Sequence, residues 1–176
     1  MKKSSFSLIP FSANTAPNID ITGNISRHHN QLNIKYLVSN LATIVIPVSK
    51  ANPTRQYDLW EHTCFEFFLG LKDTDKYWEF NLSPSGDWNV FRFLKYRHNI
   101  AEETVFNSLP SNLQQINILK LDLEVNLNQI IDPKQALEVG ITAVIENQDD
   151  QLSYWALNHP ASKADFHARA SFAVDL

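Results

Sequence analysis

A chain of 176 residues is the size of one domain and can bury a core without disulfides or a metal. Hydrophobic residues make up 44%, which excludes a disordered chain. The net charge is −4, the 15 Lys and Arg residues form no block, and no apolar run could span a bilayer. Composition therefore argues against nucleic-acid and membrane partners and leaves the oligomeric state open.

The opening MKKSSFSLIPFSANTA has the basic start and final Ala of a signal peptide. Its apolar part is too short and is interrupted by Ser5, Ser7 and Pro10, so a cytoplasmic chain is expected, with a first strand at 6–11. The single cysteine, Cys64, excludes an intrachain disulfide and fits a reducing compartment. Periodicity is mostly two. Ile19, Ile21 and Ile25 alternate with Asp20, Thr22 and Ser26. After a polar turn at 27–30, Leu32, Ile34, Tyr36 and Val38 alternate with Asn33, Lys35 and Ser39. That pair predicts a hairpin with one buried face.

A short apolar strand is expected at 43–47, ended by Pro47, and a polar loop at 51–58. Strands follow at 64–69, 77–82 and 88–93, with a Pro-Ser-Gly turn at 83–87. Leu119, Leu121, Leu123, Val125 and Leu127 alternate cleanly, as do Leu137, Val139, Ile141, Ala143 and Ile145. A turn at 147–151 leads to a strand at 152–157. A last strand would place Phe166, Ala168, Ala170, Phe172, Val174 and Leu176 on one face, with His167, Arg169, Ser171 and Asp175 on the other. Short helical pieces are expected near 100–107 and 127–135. No repeat, low-complexity segment or linker divides the chain. The pattern predicts an all-β, antiparallel two-sheet sandwich with one or two short helices, formed as a single domain. With only four glycines, its turns must rely on Asn, Asp, Ser and Pro.

The stretch YWEFNLSPSGDWNVFRF, at 77–93, holds the chemistry. Alternation puts Trp78 and Phe80 on one face and Tyr77, Glu79 and Asn81 on the other. With Phe65 and Phe67 of the preceding strand, and Phe91 and Phe93 of the following one, the first face reads as a core slab. The second gathers Glu66, Glu79, Asn81, Trp88 and Arg92. Such a face has three readings: a surface network that holds strands in register; rings and planar polar groups that bind a sugar; or a carboxylate pair that hydrolyses a glycosidic bond.

Leu59-Trp60-Glu61 followed by Cys64-Phe65-Glu66-Phe67-Phe68 resembles the LWE-x-x-x-x-E-x-F signature of family 9 carbohydrate-binding modules, within the DOMON-like superfamily. Tyr77-Trp78-Glu79-Phe80-Asn81 with Ser83-Pro84-Ser85-Gly86 resembles the segment that follows it there, and Trp88 stands just beyond the Gly. Tyr154-Trp155-Ala156-Leu157, His159-Pro160 and Asp165-Phe166-His167 resemble a bacterial DOMON-like subgroup with cyanobacterial members. The resemblance implies a jelly-roll-like sandwich that binds a carbohydrate, or a similar small polar ligand, without catalysis. It implies rings from Trp60, Trp88 and Trp155 and polar contacts from Glu66, Glu79, Asn81 and Arg92. Glu61, His159 and His167 complete the expected ligand-binding set. Family 9 modules also bind calcium in loops; Asp73, Asp75, Asp149 and Asp150 occupy turns that offer oxygen ligands, though without EF-hand order. Alternatives are a glycoside hydrolase with Glu66 and Glu79 as acid and base, and a structural or protein-interaction module that has lost sugar binding.

Haem ligation through Met is disfavoured, since Met1 is the sole Met, and no C-x-x-C-H motif is present. From spacing alone His159 and His167 read as a loop-ordering hydrogen-bond pair rather than a metal-ligand set, and His28-His29 as a solvated turn. Cys64, two residues after His62, reads as a small buried hydrophobe, since nothing nearby lowers its thiol pKa. G-x-S-x-G, H-E-x-x-H and C-x-x-C motifs are missing, which removes the commoner hydrolase and zinc readings.

Overall fold

The hairpin read from the two alternating runs forms as β3 (Asp20–His28) and β4 (Gln31–Ser39), joined by a tight turn at His29 and Asn30. In this computed structural model, which describes residues 2–176, it is the centre of a five-stranded sheet. β1 (Lys2–Ser7) flanks β3, while β10 (Leu119–Asn126) and β9 (Ser111–Gln115) extend beyond β4, every pairing antiparallel. Each strand of the hairpin has one buried face. Ile21, Ile25, Leu32, Ile34, Tyr36 and Val38 are buried, as the period of two requires.

The second sheet contains β2 (Ile9–Pro10), β5 (Cys64–Leu71), β6 (Tyr77–Leu82) and β7 (Trp88–Phe93). It is completed by β8 (Ala101–Glu102), β11 (Leu137–Glu146), β12 (Leu152–Ala156) and β13 (Val174–Asp175). Its order is β2-β12-β11-β5-β6-β7-β8, with β13 beside β11. The two sheets pack face to face as a β-sandwich around one apolar core. Phe67 and Phe80 stack in that core at 4.5 Å between centroids. Tyr36, fully buried, donates its hydroxyl hydrogen to the Glu66 carbonyl across the layers at 2.6 Å. This bond satisfies a hydroxyl that burial would otherwise penalise, and it ties the first sheet to the strand that carries Glu66.

β5 and β6 are buried along both faces, and β7 nearly so. The inner face meets the first sheet. Part of the outer face is covered by the C-terminal segment, so the expected long last strand is corrected to β13 alone. Residues before it leave the sheet and cross over it. Their course is held by a 3-10 turn at Arg169–Ser171, and by Arg169, whose guanidinium donates to the Leu71 carbonyl at 3.0 Å and to Glu138 at 2.7 Å. Gly70 leaves room for that guanidinium, and Gly140 leaves room for the Phe172 ring. Phe166 and Phe172 then pack with Phe68, Tyr77, Phe91 and Phe93 in a second, smaller apolar cluster.

Three other local expectations are corrected. Residues 43–47 form no strand, because Thr63 takes the Val45 carbonyl with its hydroxyl at 2.5 Å and Ile44 makes only a single bridge to Asn147. Residues 127–135 form turns, because the buried Arg27 guanidinium gathers the Gln135 and Asp132 carbonyls at 2.6 and 3.2 Å. Residues 100–107 supply β8 and Glu103, whose backbone N–H joins the Val90 carbonyl. The helical turns are of 3-10 type and lie at Leu41–Thr43, Leu59–Glu61 and Arg169–Ser171. Among the described residues, no helix is long and apolar enough to cross a membrane.

A Cβ on Gly140 would sit 2.8 Å from the Phe172 ring. Gly140→Ala is expected to lower the unfolding free energy by about 1–3 kcal/mol through overpacking. Urea titration checks this; an unchanged midpoint would show that the C-terminal segment does not press on the sheet.

Candidate functional site

The register of the β6–β7 hairpin decides which side chains reach the outer face. Leu82 pairs with Trp88, Phe80 with Val90 and Glu79 with Phe91, and cross-strand partners share a face. Trp88, Val90 and Arg92 therefore point inward, while Asn89, Phe91 and Phe93 point outward with Glu79 and Tyr77. This reverses the expected facing of β7. The cause is the 83–87 loop. Ser83 and Asp87 close it with a backbone bond of 2.9 Å, and Asp87 accepts from Ser85, the Thr54 N–H and Lys50. Loop length sets strand parity, and both faces of β7 are apolar enough to suit either choice.

The outer face beyond the C-terminal segment is an open cleft of ≈ 530 Å³. Its floor is polar. Glu66 and Glu79 both line it, diagonal to each other across β5 and β6, because Glu66 faces Asn81. Diagonal neighbours lie about 7–8 Å apart at the backbone, within reach of long side chains. Its walls are Trp60 from the Leu59–Glu61 turn, Phe91 and Phe93 from β7, Tyr154 from β12, and Phe166. Trp60 packs edge-on against Phe91 at 5.9 Å, and Tyr154 likewise against Phe166 at 6.0 Å. Tyr77 stacks on Phe93 at 4.6 Å with the rings 3° from parallel, which fixes one wall.

The floor is nearly dry. Glu66 is 2% exposed and Glu79 6%. Burial, reinforced by Glu79, holds the Glu66 carboxyl well above the usual carboxylate range, against a 3.3 Å hydrogen bond from Thr142 that favours ionisation. Burial pushes Glu79 up to about 7, opposed by a hydrogen bond from Asn81 and by the charge of Arg97. His167 is pushed down to about 4 by burial and by Arg97, against the pull of Asp165. Its Nδ1 lies 2.9 Å from the Tyr77 hydroxyl, which already accepts the Arg97 N–H at 3.1 Å. The network thus assigns the Tyr77 proton to that bond and the imidazole hydrogen to Nε2, which faces Glu79 at 3.7 Å. Arg97 is itself held by Asp165 at 3.1 Å, and Asp165 also accepts the Tyr96 hydroxyl at 2.7 Å. Near neutral pH the floor therefore holds a half-ionised Glu79 and a neutral His167, beside a Glu66 whose ionisation burial disfavours.

Of the residues singled out from sequence, Trp60, Glu61, Glu66, Glu79 and His167 line this cleft. Asn81 lies buried beneath it, donating to Glu79 at 2.9 Å. Three assignments are corrected by the pleat. Trp88 is 4% exposed in the inter-sheet core, with Arg55 stacked over its ring at 4.3 Å. Arg92 faces inward beside Trp78. Trp155 pairs with Ala143 on the inner face, so its neighbour Tyr154 is the ring that looks outward. His159 is outside the cleft and bonds the Ile9 carbonyl at 3.0 Å. Phe91 and Phe93, read from alternation as part of the inner core slab, lie on the outer face instead, Phe166 comes from the C-terminal segment and not from a strand, and Arg97 sits in a loop without periodicity. Asp73 and Asp75 lie in the β5–β6 turn, Asp149 and Asp150 in the β11–β12 turn; among the described residues no three His, Cys, Asp or Glu side chains converge.

The fold and the site define a class: a two-sheet β-sandwich whose larger sheet carries an aromatic cleft floored by two buried carboxyls. No family model and no curated protein matches the chain. Among solved structures it is similar to a "putative carbohydrate-binding protein" from Bacteroides uniformis, with a TM-score of 0.73 and 11% identity over 97% of this chain and 84% of that one. At that identity the likeness is one of fold.

The Glu79 carboxyl titrates near 4.5 when unfolded and about 7 when folded, so its stabilising contribution is complete below 4.5 and lost as pH rises through 7. His167 runs oppositely, from 6.5 unfolded to about 4 folded: its contribution is complete above 6.5 and lost as pH falls through 4. Glu79→Gln keeps the shape and removes only the first effect. The variant is expected to match wild type near pH 4.5 and to exceed it at pH 8 by on the order of 2–3 kcal/mol. Paired urea titrations at the two pH values measure this, and a difference independent of pH would contradict the burial of Glu79.

Proposed function

We propose that the chain is a non-catalytic carbohydrate-binding module of the family 9, DOMON-like type, and that the sugar occupies the outer-face cleft. The observation that carries this reading is the pairing of flat rings with convergent hydrogen-bonding groups in an open concavity. Trp60 and Tyr154 offer ring surface for the C–H face of a pyranose, with Phe91 and Phe93 buried behind them, and Glu66, Glu79 and His167 offer donors and acceptors for its hydroxyls. The sandwich shared with a structure described in carbohydrate-binding terms supports the same reading. The rings are not those the sequence pointed to, apart from Trp60.

A hydrolytic reading is favoured by one feature. A carboxyl whose ionisation is disfavoured by burial, as that of Glu66 is, suits a general acid. Release of nitrophenol from nitrophenyl glycosides, lost in Glu66→Gln, would replace the binding module with an enzyme.

Glycan-array screening followed by calorimetry tests the proposal. Trp60→Ala and Tyr154→Ala are expected to weaken the best sugar by at least tenfold while leaving the urea midpoint close to wild type, since both rings are partly exposed. Trp88→Ala tests something else: it empties a core site, at a cost of about 3–5 kcal/mol in stability. Failure of the wild type to bind any sugar overturns the reading.

A further inference from the structure

Carboxyl groups buried this deeply are ordinarily matched to a cation or left protonated. Those of the cleft floor have no cation of their own. Arg97 is the basic side chain of the lining, and it is committed to Asp165 at 3.1 Å. His167 approaches Glu79 only at 3.7 Å, and its Nδ1 takes the Tyr77 hydroxyl. Among the described residues neither Glu66 nor Glu79 forms an ion pair with Lys or Arg. Their hydrogen bonds are also few: Thr142 to Glu66 and Asn81 to Glu79. A carboxylate has room for about four donors, so both groups line the cleft with accepting capacity unfilled by the protein. Glu61 at the rim adds a third acid.

The walls complete the pattern. Ring faces attract cations through their negative quadrupole, and a cation near several rings and a carboxylate is held by both effects at once. Phe91 stands directly opposite Glu79 on the neighbouring strand, with Trp60 against it and Phe93 two residues further along the same face. An anionic ligand would meet three acids and one already neutralised arginine.

We propose that the ligand of this cleft is a sugar bearing a protonated or quaternary amine, its nitrogen held by Glu66 and Glu79 and its carbon skeleton laid against Trp60 and Tyr154. This rests on the sugar-binding reading above and narrows it to sugars with a positively charged nitrogen. Acylation of that nitrogen removes the charge, so N-acetylated sugars lose the attraction to the same groups that select the cationic nitrogen. The bound cation supplies the counter-charge that the buried pair lacks, and both carboxyls then act as acceptors.

The test uses the whole chain in calorimetry or ligand-observed NMR with five probes: glucose, N-acetylglucosamine, glucosamine, N-trimethylated glucosamine and tetramethylammonium. The expected result is binding of the two cationic sugars at least tenfold tighter than glucose and N-acetylglucosamine. Glu66→Gln and Glu79→Gln should each bring that preference below about threefold. Should a variant misfold, the five-probe comparison on wild type still decides. Sugars bound without regard to charge would overturn this inference and leave the sugar-binding reading standing. Tetramethylammonium bound and every sugar refused would keep the cation site and overturn the sugar reading. No binding by any probe overturns both.

Discussion

The larger sheet is buried from both sides along its three central strands, and the rest of the molecule follows from that constraint. A sheet covered on one face needs one apolar set of side chains; β5, β6 and β7 need two. The inner set, with Phe65, Phe67, Trp78, Phe80, Trp88 and Val90, packs on the first sheet. The outer set, with Phe68, Tyr77, Phe91 and Phe93, is closed by Phe172 and Phe166 of the C-terminal segment. Because that segment stops short of covering the whole face, the uncovered part remains as a cleft with a ready-made aromatic wall.

Low polarity around the floor turns two ordinary carboxylates into an unusual pair. Glu66 and Glu79 sit on adjacent strands, both nearly excluded from water; burial penalises the ionisation of each, and Glu79 adds to the penalty on Glu66. As a stabilising device this is poor: carrying Glu79 to pH 8 lowers stability, and an amide would not. Structural networks of carboxyls normally come with an arginine or lysine, and here the arginine of the site serves Asp165 instead. Groups held at shifted pKa in a concavity are the physical mark of a binding or reacting site.

The second layer of support runs behind the cleft rather than around it. Tyr36 reaches from the opposite sheet to the backbone of Glu66. Trp78 donates its indole N–H to Glu103 at 2.9 Å, and Arg55 ties the 51–58 loop to Asn89 and to the Glu103 carbonyl. The Trp-rich stretch at 77–93 thus serves mainly to lock strands and loops together, with Glu79, Phe91 and Phe93 as its contribution to the cleft.

The first hairpin, the strands β5, β6, β7, β10, β11 and β12 and the sandwich class were legible in the sequence, because a strand with a buried face writes its period of two into composition, whereas β1, β8 and β9 were not. Glu66 and Glu79 were legible as a pair on one face for the same reason. The facing of β7 was not, since WNVFRF is apolar on both sides and its parity depends on how the 83–87 loop closes. Nor was the path of the C-terminal segment, whose alternation mimics a strand while its residues are spent covering the outer face of the second sheet. Local periodicity determined which segments are extended; only the meeting of distant segments decided which of their faces is core, because a doubly buried strand looks alike from either side.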